Sequence, residues 1–203
     1  MALTIYGSPR SRTLRVLWIA EELGLDYEHN PLEWNDPRLK SPAFLAINPA
    51  GAIPTIEDDG VALSESLAIN LYLAKKYGSH HTGSLYPTDL QGEAQLWRWS
   101  LWAQQHLEPW IQRDVLLAEL RAAIGASAGA MVRGALDTLD RALAERGWLV
   151  GDGFTIGDLN VAGVLSPSRA GFVDLDSYPH VGRWLARCYE RPAAVATRRR
   201  YQG

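Results

Sequence analysis

The residues whose types and spacing could do chemistry together lie between Asn48 and Asn70. Asn48-Pro49-Ala50-Gly51 reads as a turn. Ile53-Pro54-Thr55-Ile56-Glu57 is a short apolar run with a proline near its start. A proline there removes a ladder donor, so it belongs at an edge, a strand start or a bulge. A cis Ile53–Pro54 bond would turn the N–H and C=O of Ile53 outward, where main-chain groups capture an extended peptide by strand-like pairing. One hairpin later, Ser64, Glu65 and Ser66 open a helix whose unpaired N–H groups and dipole suit a carboxylate. The two features could grip two ends of one small peptide carrying carboxylates. Taken singly, a hairpin and an ordinary helix cap with no ligand would leave the same trace.

The flanking chain must hold these groups in place. Leu3 to Tyr6 reads as a strand ended by Gly7-Ser8-Pro9. A helix follows from Ser11 to about Leu23, with Gly24 where a glycine ends a helix. Asp26 to Leu32 is a weaker strand candidate. Glu33 to Leu45, with Pro37 and Pro42, reads as irregular or briefly helical. Asp58-Asp59-Gly60 is a hairpin turn and Val61-Ala62-Leu63 the return strand. The next helix ends at Lys75, Lys76 and Gly78. This order predicts a small mixed sheet covered by helices over residues 1–79. Residues 80–87 read as a linker, its His80-His81 pair solvated. Residues 88–203 carry only helical periodicity: Leu90 to about Leu120, Ala126 to Arg146, and a last helix from Tyr178-Pro179 to near Pro192. Thr155-Ile156-Gly157-Asp158 is a capping box behind Phe154, a device for folding rather than catalysis. Arg198-Arg199-Arg200 reads as a solvated tail.

Composition narrows the classes. The chain has 203 residues, of which 47% are apolar, and a net charge of −3. That argues against a nucleic-acid binder with a broad basic surface. No run approaches the roughly 20 apolar residues of a membrane span, and no signal peptide is evident. The single cysteine, Cys188, rules out an internal disulfide framework. It also leaves the first half without C-x-x-C redox chemistry. A reducing cytoplasm is the expected compartment. No metal-ligand cluster stands out; Glu28 and His29 have no partner at ligand spacing.

Asn48-Pro49-Ala50-Gly51-Ala52-Ile53-Pro54, then a hairpin, then Glu65-Ser66, resembles the glutathione transferase superfamily, in its cytosolic, serine-type bacterial form. The likeness covers the whole chain, and the Thr155–Asp158 box recurs in the family's helical domain. It implies an α/β thioredoxin-like domain followed by an all-α domain. It also implies a transferase that takes glutathione as co-substrate, with no other cofactor and no metal, and a small, apolar electrophile as second substrate. Detoxification, a cytoplasmic homodimer, and no nucleic-acid or membrane partner complete what the resemblance implies. A non-catalytic binding or assembly module on the same fold, or a glutathione-dependent peroxidase or isomerase, are the rival readings.

The resemblance also assigns roles. A free thiol titrates near pH ~8.5. Lowering that by about two units takes about 2.7 kcal/mol of preference for the anion, within reach of one or two hydrogen bonds to a charged acceptor. Ser11, followed by Arg15, Val16 and Leu17, matches the serine-type pattern and is the first candidate for that donor. Tyr6, where tyrosine-type members carry their hydroxyl, and Ser8 are the alternatives. Ile53, ahead of Pro54, would pair with the cysteinyl part of glutathione, and Glu65 and Ser66 would hold its γ-glutamyl end. The family often carries Lys, His or Gln where this chain has Ala52; Lys40 or Arg38 could hold the glycyl carboxylate instead. Trp99, Trp102, His106 and Arg113 are candidates to line the second-substrate pocket, although tryptophans at helical spacing also pack a core.

Overall fold

The computed structural model describes residues 3–78, 84–112, 118–166 and 175–202, without the side chains of residues 112, 118–129 and 202. Tertiary contacts divide the chain at Tyr86 and again at Tyr189 into two compact units. The first is a thioredoxin-like α/β unit and the second is all-helical.

In the first unit, β1 (Leu3–Tyr6) alternates buried Leu3 and Ile5 with half-buried Thr4 and Tyr6, the period of a strand covered on one face. It pairs in parallel with β2 (Tyr27–Asn30) and antiparallel with β3 (Thr55–Asp58), which pairs in turn with β4 (Val61–Ser64). The order is β2-β1-β3-β4. Between β3 and β4 only Asp59 and Gly60 turn, both at positive φ, +48° and +83°. That is a type I′ hairpin, whose twist matches its strands. Asp58 at the end of β3 is buried and accepts from Lys76 Nζ and Tyr77 Oη, both at 2.8 Å. The hairpin is thereby tied to the last turn of α3 (Ser66–Tyr77).

Helix α1 (Thr13–Glu22) is buried at every position from Arg15 to Ala20. It packs against α3 and against a helix from the far end of the chain, as well as the sheet. Between β2 and β3 lie a 3-10 turn (Pro37–Lys40) and α2 (Pro42–Ile47), capped by the side chains of Asp36 and Ser41.

The C-terminal tail departs from the sequence reading. Residues 190–203 group with the first unit, not with the helices before them. The chain breaks at Glu190-Arg191 and restarts as a helix with Pro192 at its first position. Arg191 forms a two-pronged ion pair with Glu22 of α1 at 2.7 and 2.8 Å. Arg200, in the predicted solvated tail, reaches Glu21 at 3.1 Å, and Tyr201 Oη bonds Tyr27 Oη at 2.9 Å. In the predicted linker, Leu85 and Tyr86 are buried; His80 and His81 lie outside the described residues.

The helical unit opens with α4 (Leu90–Trp102), capped by Asp89. It does not run on regularly to Leu120. A π-helical turn (Ala103–Leu107) intervenes before α5 (Glu108–Gln112), with the Glu108 N–H reaching back to Ala103 O. Pro109 is the cause: its ring would strike the carbonyl four residues back in a regular helix, and widening the preceding turn removes that clash. Then come α6 (Ala118–Ala144), α7 (Ile156–Val164) and α8 (Pro179–Tyr189). Every residue of α7 is buried, as its apolar sequence demands of a helix packed on all sides. Its capping box is formed as read: Thr155 Oγ1 accepts from Gly157 N at 3.2 Å and Asp158 accepts from Thr155 N at 2.9 Å. Helix α9 is the tail helix (Pro192–Gln202).

Candidate active site

The chemistry-bearing stretch folds into a turn held from inside. Asn48, buried, donates from Nδ2 to Ala52 O at 3.0 Å and to Thr55 Oγ1 at 2.9 Å, and its Oδ1 accepts from Ala50 N at 3.1 Å. Thr55, also buried, donates to the same Ala52 carbonyl at 2.8 Å. These bonds fix the backbone just ahead of Ile53. The Ile53–Pro54 peptide is cis. The half-buried Ile53 side chain rests on Leu32, Leu39 and Phe44. Neither Asn48 nor Thr55 was singled out by type; the signal for them was the turn sequence itself.

Ala52 leaves a gap in the family pattern, and Lys40 lies beside it. Its Nζ donates to Ala50 O at 3.2 Å and to Gly51 O at 3.1 Å. Gly51, at φ +56°, is required here: a Cβ would come within 2.6 Å of Leu39 O and 2.7 Å of Lys40 Nζ. Arg38, the other cation considered, is held by Asp36 at 2.7 Å.

Glu65 stands at φ +70°, one of two non-glycine residues at positive φ among those described. Such a conformation costs about 1–3 kcal/mol and collects at binding sites. It directs the chain into α3 so that Ser66 is its first helical residue, buried at 4% exposure. From α1 the buried Arg15 guanidinium approaches Ser66 Oγ at 3.4 Å. A helix N-terminus, a hydroxyl and a guanidinium therefore converge, and all three favour a carboxylate. Arg15 was read only as part of a motif, because its partner lies one strand pair and one hairpin away.

The three candidate hydroxyls separate clearly. Tyr6 Oη donates to Glu57 Oε2 at 2.6 Å. Burial and then that carboxylate push its phenol up to about 12. A phenol spent on an anion is a poorer donor to a second anion than a hydroxyl bonded to a carbonyl. We expect Tyr6→Phe to keep the pH profile of turnover unchanged, with about 1 kcal/mol lost in stability from the missing bond; pH–rate curves and thermal melts read both. Ser8 is buried and donates to Glu33 Oε1 at 2.8 Å, while its Oγ accepts from Arg10 N at 3.2 Å. It braces the turn. Ser11 lies in the turn ahead of α1, one residue before the N-cap position, half-buried. Its Oγ donates to Ser8 O at 2.7 Å and sits 2.9 Å from Thr13 Oγ1.

The residues expected to line the second-substrate pocket differ in burial. Trp99 is buried, edge-on to Trp102, with the Arg98 guanidinium over its ring at 4.5 Å. At that burial it packs in the core of the helical unit. Trp102 is half-buried and His106 is exposed on the π-helical turn. Arg113 lies outside the described residues. Among the described residues no cluster of three or more His, Cys, Asp or Glu could hold a metal ion, and no helix is long and apolar enough to cross a membrane.

Comparison with known proteins extends this geometry. Residues 1–75 match the model of the glutathione S-transferase N-terminal domain, and residues 108–187 that of the C-terminal domain. Glutathione S-transferase 3 of Zea mays is 35% identical, over 96% of this chain and 92% of its own. Glutathione S-transferase PARB of Nicotiana tabacum is 32% identical over 96% of both. A solved poplar glutathione transferase F1, a serine-to-cysteine mutant, superposes with a TM-score of 0.88 at 26% identity, over 100% of this chain and 99% of that one.

Proposed function

This chain belongs to the glutathione transferase superfamily and is a glutathione transferase, and we propose that Ser11 holds the glutathione sulfur as a thiolate for attack on a small apolar electrophile. The thiol proton leaves to water, the Ser11 O–H turns to the sulfur, a carbon–sulfur bond forms, and the leaving group departs with its electron pair. Ile53 pairs with the cysteinyl main chain. Ser66, Glu65 and the first N–H groups of α3 take the γ-glutamyl end. The single observation that carries this reading is the state of the three hydroxyls: Tyr6 and Ser8 are committed to carboxylates, and Ser11 donates only to a carbonyl. That carbonyl also accepts the Ser11 N–H at 3.0 Å, so the hydroxyl can turn away without orphaning it.

The test is calorimetric titration with glutathione, alongside turnover of an activated aryl halide. Binding with turnover above the uncatalysed rate is expected. Binding without turnover would leave a non-catalytic module, and turnover of a hydroperoxide alone would leave a peroxidase.

Lys40 replaces the side chain missing at Ala52 and takes the glycyl carboxylate. Lys40→Met should weaken glutathione binding about fivefold to tenfold, the worth of one exposed, charge-assisted bond after screening. Arg38→Met should not change it. Equal affinities for parent and Lys40→Met, by the same calorimetry, would remove Lys40 from the site.

A homodimer in the cytoplasm completes the proposal. Leu90, Trp97 and Leu101 form one exposed apolar stripe along α4, and the lone Cys188 is buried. Sedimentation reads the dimer directly.

A further inference from the structure

We propose that Thr13 is a positioning residue that strengthens Ser11 as a donor to the glutathione thiolate. The inference rests on the reading of Ser11 given above and names a group that acts through it. A serine hydroxyl has one proton. In this structure that proton goes to Ser8 O at 2.7 Å. The 2.9 Å contact between Ser11 Oγ and Thr13 Oγ1 must then be donated by Thr13. Ser11 Oγ accepts a second time, from the Thr13 N–H at 3.1 Å. When the sulfur arrives, only the Ser11 proton moves. Both donations into its oxygen persist, and a hydroxyl that accepts while it donates is polarised into a stronger donor.

The surroundings fix this arrangement. Thr13 is fully buried, so its hydroxyl has no competing water. A β-branched side chain has few χ1 choices. Gly7 makes the room: at φ +134°, a Cβ on it would lie 2.1 Å from Thr13 Oγ1 and 3.0 Å from Ile53 Cβ. The chain therefore places a bare backbone where any side chain would displace the Thr13 hydroxyl. Gly7 is itself set by its N–H to Asn30 O at 2.9 Å and by the His29 ring on its carbonyl at 2.9 Å.

The experiment titrates the thiol of bound glutathione by its ultraviolet thiolate absorbance in five proteins: the parent, Thr13→Val, Thr13→Ser, Ser11→Ala and the double variant Ser11→Ala/Thr13→Val. Valine keeps the shape and loses the hydroxyl. The thiol of the Thr13→Val complex should titrate about half a pH unit higher, with about threefold less thiolate well below that point. Thr13→Ser should titrate with the parent. Placed in the Ser11→Ala background, Thr13→Val should shift nothing further, since its effect runs through Ser11. If Thr13→Val does not fold, Thr13→Ala supplies the same comparison. A Thr13→Val complex that titrates with the parent while Ser11→Ala shifts overturns this proposal alone. So does a shift that Thr13→Ser fails to restore, or one that persists without Ser11. A Ser11→Ala complex that titrates with the parent overturns the reading of Ser11, and this one with it.

Discussion

Ser11→Ala should lower glutathione conjugation between tenfold and a hundredfold at pH 6.5, and by far less at pH 9.5. The size follows from the donor's worth. A hydrogen bond to a charged acceptor contributes about 1.5–3 kcal/mol, and about 1.4 kcal/mol is one pH unit of thiol ionisation. Removing the bond therefore returns the thiol one to two units toward its free value of about 8.5. The sign with pH is fixed by that shift. A depressed thiol pKa helps only where the free thiol would be protonated, so the advantage is full below the depressed value and fades as pH rises through about 8.5. At saturating glutathione the loss should appear in kcat, and glutathione binding measured below the depressed value, where the bound thiol is protonated in parent and variant alike, should stay within about twofold. Alanine fits the site, since Ser11 is half-buried and its turn keeps the Ser11 N–H to Ser8 O bond. A pH-independent loss would mean a distorted turn rather than a lost donor. Unchanged activity at pH 6.5 would remove Ser11 from the chemistry.

Local physics made part of this legible before any fold was known. Asp59-Gly60 had to turn because both tolerate positive φ. Pro54 had to sit at a strand start, an edge or a bulge, and it stands just before β3. Thr155 and Asp158 had to cap a helix, being three apart before an apolar run. Each rests on neighbours in sequence, which a sequence displays. What stayed hidden depends on pairs distant along the chain. Tyr6 looked free to activate a thiol because nothing local announces Glu57 across the β1–β3 pair. Arg15 meets Ser66 only once α1 packs on α3. The tail read as solvated because Arg200 finds its partner, Glu21, at the opposite end of the chain. The π-helical turn was missed for another reason. Apolar periodicity survives a single widened turn, and Pro109 alone was the clue.

The same distinction governs the second large effect, which concerns folding rather than chemistry. Asp158→Asn should destabilise the helical unit by about 4 kcal/mol. Read locally, Asp158 is half of a capping box worth roughly 1 kcal/mol. In the fold it is fully buried and accepts four donors: Leu149 N at 3.0 Å, Thr155 N at 2.9 Å, Thr155 Oγ1 at 3.1 Å and Trp184 Nε1 at 2.8 Å. It thus joins the loop before α7, the start of α7, and α8. Burial raises its carboxyl, and the donors from Leu149, Trp184 and Thr155 act against that rise. An asparagine can present one oxygen to these donors. Its amide nitrogen would face the rest donor to donor, stranding two of them at about 1–3 kcal/mol each. For a chain of this length each kcal/mol moves the melting temperature by about 2–4 °C, so a fall of about 10 °C is expected. Thr155→Ala, which removes one of the four donors together with its cap, should lose only a few degrees. Calorimetric melts of the two variants decide the matter. If Asp158→Asn melts within about 2 °C of the parent, the carboxylate is an ordinary cap and the junction between α7 and α8 is held by apolar packing around Trp184.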